Sequence, residues 1–223
     1  TEGMIPEEMA EHLEECSADA VVINVGGIYA WYQSKIPYHH INEFLPKDLS
    51  FLEELIDCCH RRNIRVIGRF DFSKVDDYVY LEHPEWFVKD QEGNPLIFGS
   101  KRMGNWSLLL STCINSGFRN EEFAVKVLEE AITNFDLDGI FFNAPQMENC
   151  FCESCRRKYR RLYQEELPEN IALWKSDWKI KCSNENYKTL YDAIKQVRKD
   201  IPVIFYYGTY RAGEGSERSE ATR

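Results

Sequence analysis

The sequence predicts an α/β fold, a (β/α) barrel of TIM type that is incomplete, with about four to five of eight strands. Three observations carry this. Short β-branched runs alternate with amphipathic helical stretches along the chain, which implies βαβ units and a parallel sheet. No glycine-rich phosphate fingerprint follows any of these runs, which disfavours a nucleotide-binding open sheet. A length of 223 residues gives one sizeable core, short of the about 250 residues and eight strands of a closed barrel.

Residues 6–16 read as a helix with Pro6 in its first turn, where a missing N–H is tolerated. AVVINVGG (20–27) is a buried strand ended by glycines. Residues 28–47 form an aromatic-rich loop. Residues 48–63 are a helix with Asp48 as N-cap and basic residues in the last turn. IRVIGRFDF (64–72) is the second strand, and 83–99 a hairpin region around the turn signal Glu92-Gly93-Asn94-Pro95. Residues 105–117 read as extended, and counting 105–113 gives a fifth strand. In 119–135, Phe123, Val127 and Ala131 step by four, a helical stripe flanked by Val125 and Leu128. DGIFFNAP (138–145) is the next strand, followed by helices over 152–167 and 184–200 and a last strand, IPVIFYYG (201–208). The expectation is a single domain over 1–223, with a metal-binding insertion around 113 and 150–155.

Composition narrows the function. Apolar residues make up 43% and aromatic residues 13%, which fits a globular chain. No apolar run approaches the ~20 residues that cross a bilayer, and no charged-then-apolar leader is visible. A net charge of −10 argues against a nucleic-acid partner. The basic run Arg156, Arg157, Lys158, Arg160, Arg161 reads as a solvated helix face beside a metal site. An unclosed sheet makes self-association into a homo-oligomer an expectation.

In parallel α/β folds chemistry sits where the strands end. Alternation puts Val22, Asn24 and Gly26 on one face, then Ile67, Arg69 and Asp71, then Phe141 and Asn143, then Ile204 and Tyr206. Each face is apolar or small deep down and mostly polar at its end. Asn24, Arg69, Asp71, Asn143 and Tyr206 are therefore expected to ring one pocket, the plainer alternative being an Arg69–Asp71 structural ion pair. Trp31, His39 and His40 in the aromatic loop are further candidates for contact with a sugar ring, whose CH faces stack on aromatics.

The chain has eight cysteines. Cys58 and Cys59 are neighbours in a helix and read as core thiols. CFCESC is too tight for ordinary disulfides and typical of metal binding in a reducing, cytoplasmic setting. Cys152 and Cys155 lie three apart at a helix start, so both sulfurs can point the same way, and Cys150 comes from the loop before. Cys113 is the best fourth ligand for a tetrahedral zinc. A closed four-sulfur site is structural rather than catalytic.

The stretches AWYQSKIPYHH, CHRRNIRVIGRFDFS, HPEWFVKDQEGNP, TCINSGFRNEEF and DLDGIFFNAPQMENCFCESCRRKY resemble the hypothetical glycosyl hydrolase family 6 group. These are barrel proteins similar in style to α-L-fucosidases and family 42 β-galactosidases, and the cysteine arrangement is similar to the zinc cluster of the latter. The resemblance implies a carbohydrate substrate and hydrolysis of a glycosidic bond by two carboxylates. In similar proteins the strand after the long helix commonly ends in Asp, where this chain has Asn143. An amide can be neither nucleophile nor base. The carboxylates left for those roles are Asp71, Glu148 and Glu220. The alternatives are a carbohydrate-binding barrel without catalysis, and a zinc-stabilised structural fragment.

Overall fold

The computed structural model describes residues 5–45, 50–98, 108–143 and 145–206. Four strands form one parallel sheet in the order β1-β2-β5-β6: β1 (Ala20–Gly27), β2 (Arg65–Asp71), β5 (Gly139–Phe142) and β6 (Val203–Phe205). The connections carry α1 (Pro6–Glu15), α2 (Phe51–Arg61), α3 (Ala124–Asn134), α4 (Glu153–Tyr163) and α5 (Trp178–Val197). The α/β expectation holds, and the barrel is not closed: among the described residues β1 and β6 are both sheet edges.

One face of the sheet packs under helices. Val25, Val66, Phe70 and Ile140 are fully buried there, with Val127, Leu128 and Ala131 of α3 and Leu55, Ile56 and Cys59 of α2 in the same core. Burying each such side chain stabilises by about 1.5–3 kcal/mol, and this is where the fold is held. The other face is open, with Val22 at 47%, Ile204 at 42% and Tyr206 at 48% exposure. Those residues line what would be the interior of a closed barrel.

Several expected boundaries move. α2 starts at Phe51 with Ser50 in the N-cap position; the expected N-cap, Asp48, lies outside the described residues. Residues 119–123 turn instead of joining α3, and there the Arg119 side chain donates to Pro145 O and that of Asn120 to Ile114 O and Ser116 O. α5 begins six residues before the expected 184. Its first buried positions include Cys182, Ser183 and Asn186, a polar set that hides the helical stripe. The 105–117 segment supplies β4 (Leu109–Ser111), which pairs antiparallel with β3 (Lys74–Asp76) in a separate two-stranded sheet. It is not a fifth barrel strand. The turn at Asp90–Asn94 closes the expected hairpin, with bridges Lys89–Pro95 and Ile97–Leu110.

A second, smaller core lies beside the first. It gathers Val88, Cys113, Met147, Cys150, Phe151, Cys152, Cys155, Tyr159, Trp178 and Cys182.

Candidate functional site

The register lines up Asn24, Arg69, Phe141 and Ile204 across the four strands. The next row outward, at the strand ends, is Asp71, Asn143 and Tyr206: Asn143 N donates to Phe70 O and Tyr206 N to Phe142 O. A continuous polar network results. Arg69 Nη1 donates to Asn24 Oδ1 at 2.7 Å, Arg69 Nη2 lies 3.7 Å from Asp71 Oδ2, and Asn143 Nδ2 donates to the same oxygen at 2.8 Å. The Arg69–Asp71 ion pair is present, and Asn24 and Asn143 are joined to it. Tyr206 stands next to it, its ring stacked on Phe141 at 5.6 Å.

Asp71 is the buried hinge of this network, its side chain 5% exposed. Oδ1 accepts from Ser73 N at 3.0 Å and Ser73 Oγ at 2.5 Å, and Lys74 Nζ is 3.8 Å from Oδ2. Burial pushes its carboxyl up, but Lys74, Ser73 and Asn143 together outweigh burial and hold it below the usual carboxylate range. Asp71 is therefore an ionised anchor that orients Arg69, Lys74 and Asn143, with little surface of its own to offer a sugar.

Gly26 departs from the expected face. A bulge between Asn24 and Gly26 breaks the alternation, and a Cβ on Gly26 would meet His39 Cε1 at 3.0 Å and Val127 Cγ1 at 3.2 Å on the helix side. His39 is accordingly not at the pocket wall. It is 4% exposed, Nε2 accepts from Gly27 N at 3.1 Å, and Nδ1 pairs with Ser34 Oγ at 2.9 Å. Burial lowers its pKa from 6.5 to about 4. Because protonation then favours the unfolded chain, stability is full above about pH 6.5 and falls as pH drops towards about 4. His39→Gln is expected to flatten urea-unfolding midpoints across that window, where the parent loses on the order of 3 kcal/mol.

His40 is exposed and meets Tyr78 edge-on at 4.8 Å, while Trp31 is half-buried against the main core. Glu148 is half-buried and acts electrostatically on Arg119. Glu220 lies outside the described residues. Sequence reasoning missed Ser73, Lys74 and the Tyr29–Asp76 hydrogen bond of 2.9 Å, because residues 73–82 show no periodicity. The signal present was a Lys three residues after the strand-end Asp. A cleft of about 410 Å³ lined by Asn115, Lys158, Glu185 and Asn186 includes none of the strand-end residues.

The four cysteines come together. Cys113, Cys150, Cys152 and Cys155 are all buried and their sulfurs lie within 4.8 Å of one another, two pairs at 3.5 Å. A tetrahedral ion with bonds of about 2.3 Å to sulfur places sulfurs roughly 3.8 Å apart, so the set fits a metal ion. Without a cation these thiols cannot all ionise: Cys113 is pushed up first by its hydrogen bond with Cys150, and Cys155 by its bond with Cys113, whereas Cys152 moves down. The cluster is tied to the strand ends. Thr112, next to Cys113, donates its N–H to Ser73 O at 2.9 Å and its hydroxyl to Phe72 O.

Parallel strands with helices outside and a polar network at the strand ends define a partial (β/α) barrel. The chain belongs to the family described as hypothetical glycosyl hydrolase 6, whose model matches residues 6–144. Among solved structures it is similar to α-L-fucosidase isoenzyme 2 from Paenibacillus thiaminolyticus, at 18% identity over 94% of this chain and 30% of that one, TM-score 0.72. It is also similar to the β-galactosidase from Bacillus circulans sp. alkalophilus, at 16% identity, 89% and 34% coverage and TM-score 0.59. The β-galactosidase from the psychrophilic Marinomonas ef1 gives 15%, 89%, 34% and 0.56. These likenesses show the fold, and the chain spans about a third of the length of each of these proteins. No curated protein matches it. The resemblance read from the motifs is borne out at the level of family. No helix among the described residues is long and apolar enough to cross a membrane.

Proposed function

We propose that the strand-end site binds carbohydrate, as the substrate-holding wall of a glycoside hydrolase. The observation that carries this is the Asn24–Arg69–Asp71–Asn143 network on three neighbouring strands. Planar amides and a guanidinium, fixed by a buried carboxylate, present directional groups to sugar hydroxyls. Tyr206, stacked on Phe141, supplies aromatic surface beside it, and Trp31 and His40 are further aromatic candidates from the 28–47 loop. The neighbours' names support a glycosidic substrate, and the matched family supports hydrolysis as the ancestral reaction.

Asn143 and Asp71 favour a second reading, binding without hydrolysis by this chain alone. The amide donates to a carboxylate that is itself almost fully buried, so neither is placed to attack. Carboxylates for acid–base work would be Glu148, Glu220 or groups outside the chain. The cysteine cluster, in this proposal, holds structural zinc and fastens Cys113, and through Thr112 the Ser73–Asp71 turn. Eight free cysteines support a reducing, cytoplasmic setting.

Isothermal titration with a panel of aryl glycosides tests the site. The parent is expected to bind at least one. Arg69→Ala should weaken that binding roughly tenfold or more, as for loss of a charged hydrogen-bond donor. Binding unchanged by the substitution contradicts the proposal.

A further inference from the structure

The basic run of α4 is not uniformly solvated. Arg157 and Arg160 pair with surface Glu153 and Glu166. Lys158 turns inward. Its side chain is 13% exposed, and Nζ lies 2.8 Å from Glu185 Oε2 and 2.7 Å from Asn115 Oδ1. Asn115 in turn faces the sulfurs. Its backbone N–H donates to Cys113 Sγ at 3.3 Å, and Nδ2 donates to Cys155 Sγ and to Cys182 Sγ, each at 3.3 Å.

The orientation of the Asn115 amide follows from these partners. The ammonium holds the carbonyl oxygen, so the NH₂ group must point at sulfur. The reverse orientation would set oxygen against thiolate and N–H against ammonium. Four thiolates around a divalent ion leave the cluster doubly negative. A buried charge of that kind needs N–H donors and a counter-charge close by, and outer partners that orient ligands commonly set metal affinity.

We infer that Asn115 and Lys158 are the outer shell of the four-cysteine metal site, Asn115 directing N–H bonds at the sulfurs and Lys158 fixing the orientation of that amide. This rests on the reading that the cysteines hold a metal. Glu185 keeps Lys158 in place, so the shell runs from α4 across to α5.

The test uses the metal-loaded chain, Zn²⁺ and Co²⁺ as probes, and a competing chelator. Asn115→Ala and Lys158→Met should lower metal affinity roughly 10- to 100-fold. Lys158→Arg should recover most of the loss. The thiolate-to-Co²⁺ charge-transfer intensity per bound ion should stay that of the parent, because all four sulfurs remain; general unfolding would collapse it. Arg157→Met, on the solvent side, should change nothing. Parent-like affinity in both Asn115→Ala and Lys158→Met overturns the inference alone, as does an equal loss in Arg157→Met. A parent that binds neither ion at saturating concentration removes the metal reading and this inference with it. If Asn115→Ala does not fold, the Lys158→Met and Lys158→Arg pair decides.

Discussion

Cys155→Ser is expected to abolish stoichiometric metal binding and unfold the smaller core. Four of that core's twelve buried members are the clustered cysteines, so the centre of the cluster is held by sulfur rather than by apolar packing. Structural zinc contributes about 10–16 kcal/mol of apparent binding energy to small folds at neutral pH, against a total stability of about 5–15 kcal/mol for a typical domain. If the cluster holds a structural ion, as proposed, its loss is expected to exceed the stability the remaining contacts supply. The check is metal content together with tryptophan fluorescence, since Trp174 and Trp178 report on this core. The effect should extend to the strand ends through Thr112 and Ser73, so glycoside binding should weaken as well. A variant that keeps parent-like unfolding midpoints and parent-like fluorescence contradicts a structural role for the cluster.

Gly27→Ala should be nearly as damaging, for a different reason. Gly27 has φ of +113°, a region L residues rarely adopt, and an added Cβ would lie 2.2 Å from Asp71 O and 2.7 Å from Asp71 N. Two adjacent strands would have to separate at the point where the polar network is anchored. A loss of about 4 kcal/mol or more is expected, the range reserved for named defects of this kind. Gly93→Ala is the control. It also has positive φ, +88°, but nothing lies within 4 Å of its added Cβ. Its cost should be about 1 kcal/mol, from backbone conformation alone. Urea unfolding of the two variants separates steric conflict from conformational preference, and equal midpoints would refute the close approach of β1 to β2 at this position.

Much of the fold was legible because its signals are local. β-branched runs bounded by glycine or polar residues marked β1 and β2, and the i, i+4 stripe at Val127 and Ala131 marked α3. The alignment of Asn24, Arg69 and Asn143 was legible because parallel strands that end together present their last residues together. What failed depended on tertiary partners. β4 looked like a barrel strand, yet its hydrogen bonds go to β3 and the hairpin. Gly26 was placed by alternation, which the β1 bulge breaks. The aromatic neighbours of His39 suggest a pocket residue, but its ring fills the space that Gly26 leaves. Lys158 was one of five similar residues in sequence, and its inward turn depends on Asn115 and Glu185, which come from distant segments.

The claim that polar tips of separate strands act on one carbohydrate is tested most directly by backbone and side-chain NMR of the labelled chain during glycoside titration. Shifts are expected to concentrate at Asn24, Arg69, Lys74, Asn143 and Tyr206, with the α4–α5 cleft silent. Perturbation confined to that cleft, or spread evenly with no maximum at the ends of β1, β2 and β5, would contradict it.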